Sequence, residues 1–175
     1  MLLSACALLV FAVAGTADEK HVMKEQSKNP AFEKMKTLVG EWVMADDKGN
    51  PTDQIVLSTK IISAGSAIHE TIFPGQPHEM VTVYHMDGND VVATHYCALG
   101  NQPKLKVDAS GLPKTLKFNF NGGSNMDPAK DMHMHEGSVT FIDDDHIESS
   151  WQAYQNGKPA GDQKMTMKLV RKKKA

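Results

Sequence analysis

Cysteine is scarce in this chain: Cys6 and Cys97 are the only two in 175 residues. Cys6 falls inside an N-terminal segment that reads as a cleaved signal. The mature protein then keeps a single thiol, and no intrachain disulfide can form. Cys97 sits in an alternating strand pattern, where a lone thiol packs as a small apolar group rather than serving as a nucleophile. An excess of one charge is also missing. Lys+Arg total 19 against 21 for Asp+Glu, a formal net charge of -2. The basic residues are scattered except at Arg171-Lys172-Lys173-Lys174. Without a basic stripe to neutralise phosphates, nucleic acid has no footing as a partner, and the tail 172–175 reads as a solvated terminus. No repeat at a fixed period and no shift in composition marks a second domain. A Gly-rich phosphate loop, a nucleophile elbow and a zinc-protease helix motif are all lacking, so no catalytic residues are assigned. With 41% apolar residues, the length suits one domain with its own core.

What the chain does have begins with an uncharged stretch over residues 1–17, rich in Leu, Val and Ala and ending Gly15-Thr16-Ala17 before Asp18. Small residues at Gly15 and Ala17 fit a signal peptidase, and the apolar run is short for a bilayer span. Cleavage after Ala17 would release the protein to the periplasm or the medium. Leu3-Ser4-Ala5-Cys6 also resembles a lipoprotein box, and acylation of Cys6 is the route by which the protein would meet a membrane. Residues 18–30 are polar and read as a flexible leader. A single barrel domain is expected over 31–171.

Within that domain, Phe32, Met35, Leu38 and Val39 recur at helical spacing, which predicts a short helix from Ala31 to Val39 that stops at Gly40. Beyond it the helical period disappears. Ten strands are expected near 41–45, 54–63, 67–73, 79–86, 91–98, 103–109, 115–121, 133–142, 146–155 and 162–170. Their separators are turn chemistry, such as Asp87-Gly88-Asn89-Asp90 and Asn156-Gly157-Lys158-Pro159. Short links imply antiparallel neighbours, and a long antiparallel sheet removes its edges by closing on itself. The fold class is therefore all-β, a ten-stranded antiparallel up-and-down barrel with a short N-terminal helix. The longest interruption, Gly122 to Asp131, has room for one helical turn at Asn125 to Lys130.

Leu38-Val39-Gly40-Glu41-Trp42 before the first strands and Arg171 after the last resemble the Gly-x-Trp and terminal basic residue of the calycin superfamily, which includes lipocalins, fatty-acid-binding proteins and nitrobindin-like barrels. That resemblance implies a calycin-like barrel closed by Trp42 packed against Arg171, with Lys168 as the substitute partner in another register. The stretches His69 to Gly75, Met80 to His85, Thr94 to Pro103 and Lys130 to His135 are also similar to an exported bacterial barrel family of unknown function. They bring no activity with them.

Candidate site residues follow from alternation. Glu70 shares a face with Ile68 and Ile72, so its carboxylate is directed at an apolar interior, where it orients a polar ligand or is satisfied by backbone or Tyr. A symmetric hairpin at 87–90 places His95 opposite Thr82, on the face of Tyr84, Met80 and Cys97, with His85 on the other face; a slip of one residue reverses the partnership, so the sequence does not assign which histidine faces inward. Leu116, Phe118, Phe120, Ile147 and Trp151 supply surfaces to wall a pocket or fill it, and Asn119 lies near the expected mouth. His133 and His135 are two apart on a strand, so both rings share one side and Met134 and Glu136 the other. Such a pair offers two nitrogens to zinc or copper, with His95 or Glu70 as a third ligand. Met126, Met132, Met134, Met165 and Met167 would suit copper, or are ordinary core filler. A single inward histidine would permit haem, as the nitrobindin resemblance implies. The leading expectation is an exported barrel that binds a small hydrophobic or amphipathic ligand. A metal or haem barrel, and a structural or interaction barrel with a filled interior, are the alternatives.

Overall fold

A computed structural model describes residues 28–162 and 164–173. The signal segment 1–17, Cys6 and the leader up to residue 27 lie outside the described residues. The chain folds as helix α1 (Pro30–Lys36) followed by strands β1 (Gly40–Ala45), β2 (Pro51–Ile62), β3 (Ala67–Ile72), β4 (Met80–Asp87), β5 (Asp90–Tyr96), β6 (Gln102–Asp108), β7 (Thr115–Ser124), β8 (His133–Phe141), β9 (His146–Gln155), β10 (Lys158–Pro159) and β11 (Met165–Arg171). Each strand pairs antiparallel with its neighbours, β11 pairs with both β9 and β1, and β8 pairs with β9. Those last pairings close the sheet into a ten-stranded barrel, as alternation and turn chemistry predict. The two-residue β10 is an extra piece on β9, in the hairpin that leads to β11.

The helix starts where its cap chemistry dictates. The Asn29 side chain accepts from the N–H groups of Ala31 and Phe32 at 2.9 and 3.2 Å, and Pro30 occupies the first turn without wasting a donor. Asn29 and Pro30 thus belong to the domain rather than to the flexible leader. The helix ends at Lys36, three residues short of the expected limit, and Val39 is 40% exposed instead of packed. Its buried face, Ala31, Phe32 and Met35, joins Leu38 and Trp42 in the core at one end of the barrel.

Trp42 and Arg171 are direct cross-strand partners on β1 and β11. The guanidinium lies over the indole at 4.2 Å from the ring centroid. Its nitrogens also donate to the carbonyls of Val39, Thr37 and Asp144 and to the Asp145 carboxylate, at 2.8 to 3.1 Å. The indole N–H donates to the Leu38 carbonyl at 2.8 Å. One side chain thereby ties the helix exit, the first strand, the last strand and the β8–β9 turn together. Gly40 has φ of +126°, a conformation that favours glycine, and this gives the Gly of Gly-x-Trp its structural reason. Lys168 instead pairs with Glu148 in the ladder, away from this cluster.

Other local expectations shift slightly. Gly122 to Asp131 does contain one helical turn, closed by the N–H groups of Lys130 and Asp131 on the Asp127 carbonyl. Cys97 lies one residue past the end of β5, half-buried in a turn rather than inside the strand, because its N–H bonds the Asn101 carbonyl of the same turn. The last strand begins at Met165, because the β10 hairpin takes up the residues before it.

Replacing Arg171 with Ala removes the stacking and several charge-assisted hydrogen bonds, so urea unfolding should show a loss of about 2–4 kcal/mol. Arg171→Lys should recover only part of it, since an ammonium cannot span the same carbonyls. A loss below about 0.5 kcal/mol, the usual surface value, would contradict this reading.

Candidate functional site

A cavity lies inside the barrel above the floor formed by Met35 and Leu38. Its walls are mostly apolar: Leu57, Ile72, Leu105, Phe118, Val139, Ile147 and Trp151, with Met80, Met134, Met165 and Met167. The space open to the centre of a water-sized sphere is about 50 Å³. That holds a few waters or a slim molecule, below the ~300–1,000 Å³ of drug-sized pockets. Phe73 covers part of it, held at φ of +53° with its N–H bonded to the Val56 carbonyl at 2.7 Å.

Across this apolar interior runs one polar band. Thr59 on β2 is opposite Glu70 on β3, Glu70 is opposite Thr82 on β4, and Thr82 is opposite His95 on β5. Direct cross-strand partners project from the same face, so the four side chains stand side by side at one level of the barrel. All are buried, with exposures of 5%, 7%, 3% and 5% in that order. Tyr84, diagonal to this row, donates its hydroxyl proton to Glu70 Oε1 at 2.9 Å. His95 Nδ1 is 2.9 Å from Thr82 Oγ1. At the two ends of the band, Thr59 Oγ1 and His95 Nε2 have no hydrogen-bond partner on the protein. Glu70, Thr82, Tyr84 and His95 all line the cavity.

Burial shifts each of these groups toward its neutral form. Desolvation pushes the Glu70 carboxyl up to about 7, partly opposed by the hydrogen bond from Tyr84. Desolvation and the neighbouring Glu70 raise the Tyr84 phenol well above its ordinary value. Desolvation alone pulls His95 down to about 4, so its ring is uncharged near pH 7. A head group in the cavity would meet an uncharged His95 ring and a Glu70 carboxyl that is divided between its neutral and ionised forms near pH 7.

One wall is shaped by a glycine. A Cβ on Gly137 would meet Trp151 Cε3 at 2.3 Å, so only glycine lets the indole lie flat across β8. Trp151 then stacks on Phe118 at 5.2 Å between centroids, and its N–H donates to Ser149 Oγ at 2.9 Å.

Glu70, Tyr84, His95, Phe118 and Trp151 all line the one cavity, and the symmetric hairpin puts His95 opposite Thr82 as expected. Asn119 does not join them. Phe118 faces inward, so the next residue faces outward, and Asn119 lines an exposed polar cleft with Asn121 and Lys106. Phe120, the ladder partner of Leu105, does not line the cavity either; it packs on His133 and His135 at 4.7 and 4.8 Å between ring centroids. Leu116 is fully buried in the core without lining the cavity. His85 is exposed.

The three-histidine metal set is not assembled. Among the described residues, no three His, Cys, Asp or Glu side chains are grouped so as to hold a metal ion. His95 lines the cavity, and His133 and His135 do not. A register shift between Met134 and Glu136 breaks the alternation, so Met134 lines the cavity while Glu136 turns to Lys164 at 2.7 Å. His133 Nδ1 bonds the Asp131 carbonyl at 2.9 Å, and its Nε2 faces His135 Nδ1 at 3.0 Å. The two rings therefore bond each other rather than converging on a third point. His135 is stacked on Tyr154 at 3.8 Å, and burial and His133 lower its pKa. Haem does not fit either. The inward His95 faces about 50 Å³, which does not admit a porphyrin unless side chains are displaced.

Sequence reasoning missed Thr59 as part of the band, and Met35 and Phe73 as lining. Thr59 was readable as the neighbour of Glu70 once register is known. No model of a known protein family matches the chain, and no curated protein sequence matches it.

The two shifted groups carry opposite pH signatures. A carboxyl raised from 4.5 to about 7 binds its proton more tightly in the folded state, so its contribution falls as pH rises through that window. An imidazole lowered from 6.5 to about 4 binds its proton less tightly when folded, so its contribution falls as pH drops through that window. Each is about 3 kcal/mol in full. Glu70→Gln should therefore gain on the wild type by about that amount between roughly pH 4.5 and pH 8. His95→Gln should gain on it as pH falls from about 7 to 4. Paired urea unfolding across pH measures both, and differences that do not vary with pH would refute the assignment.

Proposed function

We propose that this chain is an exported, calycin-like barrel that binds a small, mostly apolar molecule with one polar head group in its interior. The observation that carries the reading is the buried polar band in the apolar cavity, ending at His95 Nε2 without a partner on the protein. A buried unmatched nitrogen costs about 1–3 kcal/mol. A barrel evolved only as a filled scaffold has no use for that cost, whereas a binding site recovers it when a ligand head group arrives. The narrow space sets a slim ligand, and the unbranched methionines around it can shift to accept one.

The Gly40, Trp42 and Arg171 geometry supports kinship with the calycins, and the sequence stretches named above support kinship with exported bacterial barrels. Export itself rests on residues 1–17 and places the protein in the periplasm or outside the cell, with acylation at Cys6 as the alternative that would anchor it. Preformed pockets in barrel interiors are common ligand sites, which makes binding the default activity for such a scaffold. Glu70, Tyr84, His95, Phe118 and Trp151 form the proposed contact set.

Methyl-13C methionine spectra test this directly. Titration with six-carbon straight-chain compounds should move Met80, Met134 and Met167, which line the cavity, and saturate; Met44 and Met86, which do not line it, should stay still. Leu105→Phe, which fills the centre, should abolish the response. Linear, unsaturable shifts spread over all methionines would reject the interior site.

A further inference from the structure

Five methionines line the interior cavity: Met35 and Met167 are buried, and Met80, Met134 and Met165 less so. Methionine fills irregular gaps in any core, so thioethers alone decide nothing. His95 adds what they lack. Its ring lines the same cavity, and its Nε2 is buried without a partner on the protein. Met80 and His95 reach the same region. Thr82 is the ladder partner of His95, and Met80 stands two residues before it on the same face of β4. Such diagonal neighbours are about 7–8 Å apart at the backbone, within reach of a long side chain. The open space of about 50 Å³ has ample room for one ion. Among the described residues no three His, Cys, Asp or Glu side chains form a metal group, but a thioether donor set has no need of one.

We infer that the interior holds one soft monovalent cation of the copper(I) class, bound by His95 Nε2 and Met80 Sδ with a further thioether from Met134, Met165 or Met167. This goes beyond the apolar-molecule reading and does not rest on it. Thioether with imidazole suits copper(I), whereas zinc is held by thiolate, imidazole and carboxylate, and calcium and magnesium by oxygen. With the ion on Nε2, the ring proton is confined to Nδ1, and Thr82 Oγ1 lies 2.9 Å away to accept it. That is how metal-bound histidines are oriented. The ring need not hold its proton there before the ion arrives. Neither donor has to release a proton to solvent near pH 7, because the ring is uncharged and thioethers do not titrate. Glu70 is the one carboxyl among the described lining residues, and a cation nearby would draw it toward its ionised form and so offset the charge.

Silver(I), which shares the charge and softness of copper(I) and is stable in air, is the probe. It is added as nitrate near pH 7 to the full chain carrying Cys97→Ser, so that the half-buried thiol cannot compete. The expected result is saturation at one ion per chain, a shifted Met80 methyl, a still Met44 methyl, and a silver splitting on the 15N resonance of His95 Nε2. Zinc(II) should produce none of this. Losing a ligand costs at least what losing a ligand's hydrogen-bond partner costs, so His95→Gln and Met80→Leu should each weaken silver binding by roughly tenfold or more. Met44→Leu should not change it. The splitting is read with both ligands in place, so a variant that fails to fold does not protect the inference. Silver on His133 or His135 instead, no splitting on His95, binding only when Cys97 is present, or zinc held as tightly as silver would each overturn it. The apolar-molecule reading survives all of these, since its probes are uncharged. Silver bound at His95 with no straight-chain compound bound would overturn that reading alone.

Discussion

The contact between the Trp42 ring and the Arg171 guanidinium determines what the rest of this barrel can be. It joins the first and last strands at their register, and the same guanidinium gathers the carbonyls that the end of α1 leaves without partners. A helix end and a strand turn that would otherwise need water are satisfied by one planar cation. The consequence reaches the interior. With Ala31, Phe32, Met35, Leu38 and Trp42 packed at that end, the space above is blind below. Its lining includes residues that are not fully buried, among them Phe73, Met80, Met134 and Met165.

Above that floor two requirements oppose each other. The barrel stabilises itself by burying apolar side chains, and its interior is lined mainly with them. Yet four adjacent strands each place a buried polar side chain at the same level. Glu70 is tolerated there because Tyr84 bonds it and because burial favours its protonated form near neutral pH. His95 is tolerated as a neutral ring whose Nδ1 is satisfied. What the protein leaves unsatisfied are the two ends of the band. A polar row hydrogen-bonded in two pairs and open at its tips leaves the last hydrogen bonds for a partner to supply.

Much of this was readable before any coordinates. Period-two runs separated by Asp-Gly and Asn-Gly gave ten strands within a few residues of their observed limits, and the short links implied antiparallel closure. Alternation and one symmetric hairpin at Asp87 to Asp90 put Tyr84 and His95 on a shared face, but which histidine faced inward was open until the register was known. The misreadings have different causes. Glu136 was placed by counting along a strand that a register shift interrupts, while Asn119 was placed near the mouth although it adjoins the inward Phe118 and so faces outward. Phe120 was assigned to the wall by hydrophobicity, but its ring packs on two histidines instead of lining the cavity. Thr59 escaped notice because a threonine in a strand is ordinary until its neighbours across three ladders are known.

The account stands on the claim that the barrel interior is the place where a ligand sits. Crystals soaked in 6-bromo-1-hexanol and measured at the bromine edge address it without reference to affinity. The account predicts an anomalous peak inside the ring of Leu105, Phe118 and Ile147, with the hydroxyl oxygen at hydrogen-bond distance from His95 Nε2. Bromine only on the outer surface, with the interior closed by the protein's own side chains, would contradict it.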